Sequence, residues 1–271
     1  MFKAIDIIIL YTLINFVKMY LDNSLEYILV IFIGFVAGAI NTIAGGGSLL
    51  TLPILIFLGL PPAIANATNR IGILFQASSG AAGYASKGVT NFPFNLYMGI
   101  SALFGSLIGA KIAMEIDGQL FNRILALIMI FVLIIILFKP KQNDVILPER
   151  LTGKYLFFSI IVFFFIGIYG GFINAGIGVV IMLFLNSFNR LSLVKSNATK
   201  VSLVSIYTFA AVVYFALNDK IDWEVGFVLA LGMSSGAWFS SRWSVNKGDK
   251  FIKIFLTVVI TLMSIRLWFF S

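Results

Sequence analysis

The stretch from Asn41 to Pro53, NTIAGGGSLLTLP, sets three consecutive glycines beside Asn, Thr and Ser inside a run that is otherwise apolar from Ile28 to Leu60. Glycine and proline are the poorest helix formers, so a helix entering this stretch is expected to break at Gly45, Gly46 and Gly47. A break leaves the first amide hydrogens of the next helix without intrahelical acceptors, at the positive end of its dipole. Donors gathered in this way favour an anion. Asn41, Thr42 and Ser48 flank the break with neutral hydrogen-bonding groups. The competing reading is a hairpin tip whose glycines serve only close packing.

The break has a counterpart. GFVAGAINTIAGGGS (Gly34 to Ser48) aligns with GIYGGFINAGIG (Gly167 to Gly178), placing Gly34 on Gly167, Gly38 on Gly171, Asn41 on Asn174 and Gly45 on Gly178. The second copy offers Asn174, Gly176 and Gly178, with a single glycine where the first has three. NATNR (Asn66 to Arg70) likewise meets NATKV (Asn197 to Val201), and Gly105 and Gly109 meet Gly232 and Gly236. These motifs add Thr68, Asn69 and Arg70 in one half, and Thr199 and Lys200 in the other. The two cations either snorkel to the interface or balance a substrate's negative charge beside the breaks. Asn66 and Asn197 are expected to cap the helices they begin. Gln76, Ser78 and Ser79, about two turns beyond Arg70, supply neutral donors, although such serines also bond their own backbone. GSLIGA and GMSSGA are expected to serve helix packing.

The chain that carries these residues has 271 of them, 60% hydrophobic and 11% charged, too apolar for a soluble domain of this size to bury. Several segments run about 20 residues with few or no charges, enough to cross a bilayer core as helix. Cysteine and histidine are absent, which excludes disulfides, thiolate chemistry and the commonest metal ligand and proton shuttle. The 11 acidic residues lie near span ends, in loops or in the first helix, leaving no obvious mid-membrane proton carrier or divalent-cation site. A serine hydrolase built on GGGS has no histidine for a base, and a Ser–Lys variant is open only formally. No enzyme activity, cofactor or metal is expected. No basic soluble domain exists for nucleic acid, and the net charge of +8 suits basic residues gathered in cytoplasmic loops.

The expected fold class is an all-α membrane protein, a polytopic helical bundle of two inverted-topology repeats. Each half opens with a broken pair, Glu26 to Ala44 with Ser48 to Leu60, and Tyr155 to Asn174 with Ile177 to Phe188. Three fuller spans follow in each: Asn69 to Tyr84, Phe94 to Met114 and Leu120 to Phe138, then Ala198 to Leu217, Trp223 to Ser240 and Phe251 to Phe269. The second member of each pair is too short for a full crossing at about 1.5 Å per residue. It either returns as a hairpin or crosses as a thin second helix. Both alternatives give an odd number of crossings per half, so the halves face opposite ways.

The resulting division is an extra N-terminal helix at 1–24, a first repeat at 25–138, a polar cytoplasmic linker at 139–154 and a second repeat at 155–271. The N-terminal helix is a retained helix that either crosses the bilayer or lies along it. With the linker inside, most of the 19 basic residues fall inside, among them Lys87, Lys139, Arg150, Lys154 and Lys247. Asp22, Glu26, Glu115, Asp117, Asp219, Asp222 and Glu224 fall outside. That bias follows the positive-inside rule, and inverted repeats recur in secondary transporters.

GFVAGAINTIAGGGSLLTLPIL, the ATNR motif followed by a span ending GAAGY, and the degenerate copy GIYGGFINAGIGVV with NATK together resemble the TauE/SafE, or sulfite exporter, family of membrane permeases. The resemblance runs from Tyr27 to Trp268. It implies export or uptake of small anions, especially sulfite and organosulfonates, across the inner membrane of a prokaryote. Carried over by motif, Asn41, Gly45, Gly46, Gly47, Thr68, Asn69 and Arg70 line one half of the site, and Asn174, Gly176, Gly178, Thr199 and Lys200 line the other. The expected partners are the small anion and the lipid bilayer, and abundant small residues are compatible with a homodimer. The rival functions are a carrier of another small solute or cation, and a membrane assembly factor that transports nothing.

Overall fold

The computed structural model describes residues 23–137 and 148–270. The expected N-terminal helix at 1–24 and much of the 139–154 linker lie outside those residues. Among the described residues the chain is all helix and connecting turn. In chain order the helices are α1 (Asn23–Ala44), α2 (Ser48–Phe57), α3 (Pro62–Ala85), α4 (Phe94–Glu115), α5 (Gly118–Leu137), α6 (Gly153–Phe172), α7 (Ile177–Ser187), α8 (Leu193–Ala216) and α9 (Trp223–Phe270).

The distribution of side chains is the reverse of a soluble protein's. Arg70 is fully buried, and Thr42, Ser48, Asn66, Gln76, Asn174, Asn197 and Lys200 are buried with it. The outside carries Phe32, Phe104, Phe131, Phe157, Phe165 and Phe209, with Phe157 68% exposed. An apolar exterior of this extent needs hydrocarbon around it. Tyr27–Ala44, Phe94–Glu115, Gly153–Phe172 and Leu193–Ala216 are each long and apolar enough to cross a membrane. The protein is an integral, multi-pass membrane protein.

Close helix contacts are made by aligned glycines of opposite halves. On α1, a Cβ added to Gly38 would lie 2.2 Å from Met233 O of α9, and on α9 one added to Gly236 would lie 2.0 Å from Phe35 O of α1. The pair α4 and α6 repeats the arrangement, with Gly109 facing Ile168 O at 2.0 Å and Gly171 facing Ser106 O at 2.0 Å. Side chains at these positions would push the backbones apart, which is how small residues hold membrane helices together. GSLIGA and GMSSGA therefore pack, and their partners are the glycine pairs of α1 and α6.

The helix boundaries differ from expectation in two places. First, α3 begins at Pro62 and α8 at Leu193, so both NAT motifs lie inside helices and do not start them. Pro61 and Pro62 suit a helix start, where the missing amide hydrogen costs nothing. The Ser192 hydroxyl caps α8, accepting from Lys195 N at 3.2 Å. Second, the spans expected at Trp223 to Ser240 and Phe251 to Phe269 are one continuous helix, α9. The connecting sequence, SRWSVNKGDK, has no proline and one glycine, so the backbone meets no strong stop signal. Ser240, Ser241 and Ser244 bond carbonyls of their own helix. At 48 residues this helix is about 72 Å long, well beyond the roughly 30 Å of a bilayer core.

Candidate functional site

Two helix breaks organise the centre. Between α1 and α2 the chain turns through Gly45, Gly46 and Gly47, with Gly45 at φ +80°. Between α6 and α7 it turns through residues 173–176, with Asn174 at φ 60° and Gly176 at φ 70°. Left-handed backbone is cheap for glycine and tolerable for asparagine, and the residue types at both breaks are of that kind. α2 has 10 residues and α7 has 11, so each spans about half the hydrocarbon core.

A helix that ends inside a membrane leaves its last carbonyls unpaired. Here each broken helix is capped by the opposite half. Lys200 of α8 donates to Asn41 O at 2.9 Å, Thr42 O at 2.8 Å and Asn197 Oδ1 at 2.7 Å, and Asn197 Nδ2 donates to Ile43 O at 3.0 Å. All of these backbone acceptors lie in the last turn of α1. At the end of α6, Arg70 of α3 donates to Gly170 O and, at 2.8 Å, to Gly171 O. Asn66 Nδ2 reaches Phe172 O at 2.9 Å.

A cation at a helix C-terminus also complements the negative end of the dipole. Asn66 and Asn197 are thus caps, but of the C-terminal end of a distant helix and not the N-terminal end of their own. The expectation of local capping fails because proline and serine upstream already start α3 and α8.

The N-terminal ends of α2 and α7 carry no side-chain cap. Among the described residues, no carbonyl accepts from the amides of Gly46, Gly47, Ser48, Ile177 or Gly178. The two breaks touch at Gly45 and Gly178, and Ser48 stitches them together. Its hydroxyl donates to Asn174 O at 3.0 Å and accepts from Gly176 N at 3.3 Å. Gly47 is pressed against α1, where a Cβ would fall 2.1 Å from Ala37 O. The glycine tips are therefore closed on each other, and the open space lies to one side of them.

That space is a small cavity lined by Asn41, Gln76, Asn174, Ile177, Gly178, Lys200, Val201 and Val204, with room for about one water molecule. Two amide side chains are held in it by aligned partners. Asn41 Nδ2 donates to Gln76 Oε1 at 2.7 Å, and the Tyr207 hydroxyl donates to Asn174 Oδ1 at 2.7 Å. In the alignment of the NAT motifs, Tyr207 stands where Gln76 stands in the first half. Gln76 Nε2 continues to Thr42 Oγ1 at 2.8 Å, and the Tyr169 hydroxyl donates to Ala175 O.

Of the residues singled out in the sequence, Asn41, Gln76, Asn174, Gly178 and Lys200 meet at this cavity. Thr42, Gly45, Ser48 and Gly176 form the layer behind it. Thr68 and Thr199 do not reach it. Thr68 Oγ1 accepts from Asp222 N at 3.0 Å, and Thr199 Oγ1 accepts from Asn91 Nδ2 at 2.5 Å, so each holds a loop of the other half. Arg70 is buried beside the α6 break, Asn69 is buried in α3, and neither lines the cavity. Ser78 is exposed. Tyr207 and Tyr169 were not singled out, although the alignment of Tyr207 with Gln76 was a readable signal.

The chain is similar to known proteins over most of its length. The family model described as "Sulfite exporter TauE/SafE" matches residues 30–267. A "Probable membrane transporter protein" of Haemophilus influenzae is 29% identical over 91% of this chain and 96% of its own length. The "Probable membrane transporter protein ORF9" of a Sinorhizobium species is 31% identical over 86% of this chain and 88% of its own. "Probable membrane transporter protein YfcA" of Escherichia coli is 28% identical over 95% of both. No solved structure matches. With the match covering nearly the whole described bundle, the chain belongs to the sulfite exporter TauE/SafE family of membrane transporters.

Proposed function

We propose that this protein carries a small oxyanion, sulfite or an organosulfonate, between two broken helices that belong to inverted copies of one repeat, by way of a cavity that must widen from its one-water size to pass the guest. The observation that carries the reading is the division of polar groups around the breaks. Both C-terminal ends, α1 and α6, are neutralised by a cation and an asparagine of the opposite half. Both N-terminal ends, α2 and α7, keep their amides, and α7 turns Ile177 and Gly178 to the cavity beside Lys200. What remains on offer is positive, which suits an anion. The description of the matching family as sulfite exporters supports the same substrate class.

The test is uptake of labelled sulfite or taurine into proteoliposomes. Saturable flux, with its KM raised severalfold in a Lys200→Met variant that still elutes as folded protein, is expected. Flux of a cation or neutral solute with no movement of any oxyanion would overturn it. The inverted arrangement has a separate test, because the chain has no cysteine. Lys87→Cys and Asn218→Cys, in loops of opposite halves, should label from opposite faces of the membrane. Labelling from one face would sink the inversion and leave the anion site standing.

A further inference from the structure

The hydrogen bonds around Asn41 decide which of its atoms a substrate meets. The Thr42 hydroxyl donates to Gly38 O at 2.8 Å, so its oxygen can only accept from Gln76. Gln76 must present Nε2 to Thr42, at 2.8 Å, and Oε1 to Asn41, at 2.7 Å. Asn41 therefore spends one of its two Nδ2 hydrogens on Gln76. Its Oδ1 accepts from no described residue and is not among the sealed polar atoms, and Asn41 lines the cavity. This chain of donors and acceptors starts at a backbone carbonyl, which fixes the orientation of both amides.

Asn174 is held the other way round. Its Oδ1 is taken by Tyr207, which leaves Nδ2 as a donor at the same cavity. Lys200 is the one charged side chain among the lining residues. Its three hydrogens are committed to Asn41 O, Thr42 O and Asn197 Oδ1, so it offers a guest charge without a hydrogen bond. The cavity thus presents one positive charge, amide donors and one outward-facing acceptor.

We infer that the substrate is a monoanion bearing a hydrogen-bond donor, in the manner of a monoprotonated oxyanion, and that a dianion of the same shape is refused. This rests on the oxyanion reading of the cavity and narrows it. One cation balances one charge, and a second charge would stand unpaired where solvation is poor. A donor on the guest satisfies Asn41 Oδ1, which an aprotic monoanion would bury without a partner. Entering in this form, the substrate carries its own proton and asks for no titratable side chain on the pathway.

The test needs no variant, only wild-type protein in proteoliposomes taking up labelled sulfite. Methylphosphonate as its monoanion and methanesulfonate share shape and charge and differ by one hydroxyl. The hydroxylated anion should compete about tenfold better, the size of one hydrogen bond to an otherwise unpaired acceptor. Raising the pH until hydrogensulfite loses its proton should abolish sulfite uptake itself, and sulfate should not compete at the pH where uptake is seen. Equal competition by the two anions, or undiminished uptake of sulfite as the dianion, would overturn the inference while leaving an oxyanion carrier. Absence of any oxyanion flux would overturn the inference and the function together.

Discussion

Gly45 and Gly178, aligned residues of the two halves, meet backbone to backbone. A Cβ on Gly45 would lie 2.3 Å from the carbonyl carbon of Gly178, and one on Gly178 would lie 2.4 Å from Cα of Gly45. Neither contact can be relieved by turning a side chain, because both partners are main chain. The helix breaks thus brace each other, and the cavity lies to one side of them, toward Asn41, Gln76 and Lys200. A guest carried as proposed above would be held beside the glycine tips and not directly between them.

Gly178→Ala should therefore lower the thermal midpoint of detergent-solubilised protein and cut flux, since overpacking costs about 1–3 kcal/mol even where side chains can yield. Gly88→Ala is the control. Its φ is positive, +74°, unlike that of the helical Gly178, and a Cβ there meets nothing within 4 Å, so only backbone strain of about 1–2 kcal/mol applies. Thermal unfolding of the two variants side by side checks the difference. Equal midpoints would mean that the tips do not brace each other.

Lys200 and Arg70 do the same structural work but stand differently toward the cavity. Lys200→Met strands Thr42 O and Asn197 Oδ1 in the core, each abandoned acceptor costing about 1–3 kcal/mol, while Asn41 O keeps the Gly45 amide; it also removes the charge that faces the guest. Arg70→Met strands Gly170 O and Gly171 O but leaves the cavity lining intact. Both variants should unfold earlier, whereas only Lys200→Met should raise the KM for sulfite severalfold. Unfolding curves paired with concentration-dependent uptake separate the two effects. A raised KM in Arg70→Met at unchanged stability would place Arg70 on the guest.

Tyr207→Phe removes one hydroxyl and no volume. Asn174 Oδ1 loses its donor, and the amide is free to turn, so the KM should rise severalfold at a stability cost of about 1 kcal/mol. Thr51 of α2 gives the comparison. Its buried Oγ1 has no hydrogen-bond partner among the described residues, so Thr51→Val should be neutral or slightly stabilising. Uptake kinetics and thermal unfolding of both variants decide it. A KM unchanged by Tyr207→Phe would show that Asn174 needs no orienting.

Local features of the chain were legible residue by residue. Gly45 to Gly47 and residues 173–176 break helices because their backbone preferences are intrinsic, and no fold is needed to read them. The glycine pairs around Gly105 and Gly232 announced close packing, and the alignment of Asn41 with Asn174 announced two similar sites. Asn66 and Asn197 misled, because asparagine near a helix start has a local partner in most proteins, and here its acceptor lies more than 100 positions away at Phe172 O or Ile43 O. The junction within α9 misled as well. Charged residues between two apolar runs suggested a loop, but charge alone does not end a helix.

From composition and local sequence came a polytopic helical membrane protein whose helices are interrupted at Gly45 to Gly47 and at residues 173–176, since these depend on short-range backbone preference and on the solvent the chain requires. Only folding assigned the partners. It sent Lys200 to the end of α1 and Arg70 to the end of α6, moved Thr68 and Thr199 away to the loops, and brought Tyr207 to Asn174. The physical reason is that a buried donor is claimed by whichever acceptor packing leaves unpaired beside it, and those acceptors belong to the opposite half of the chain.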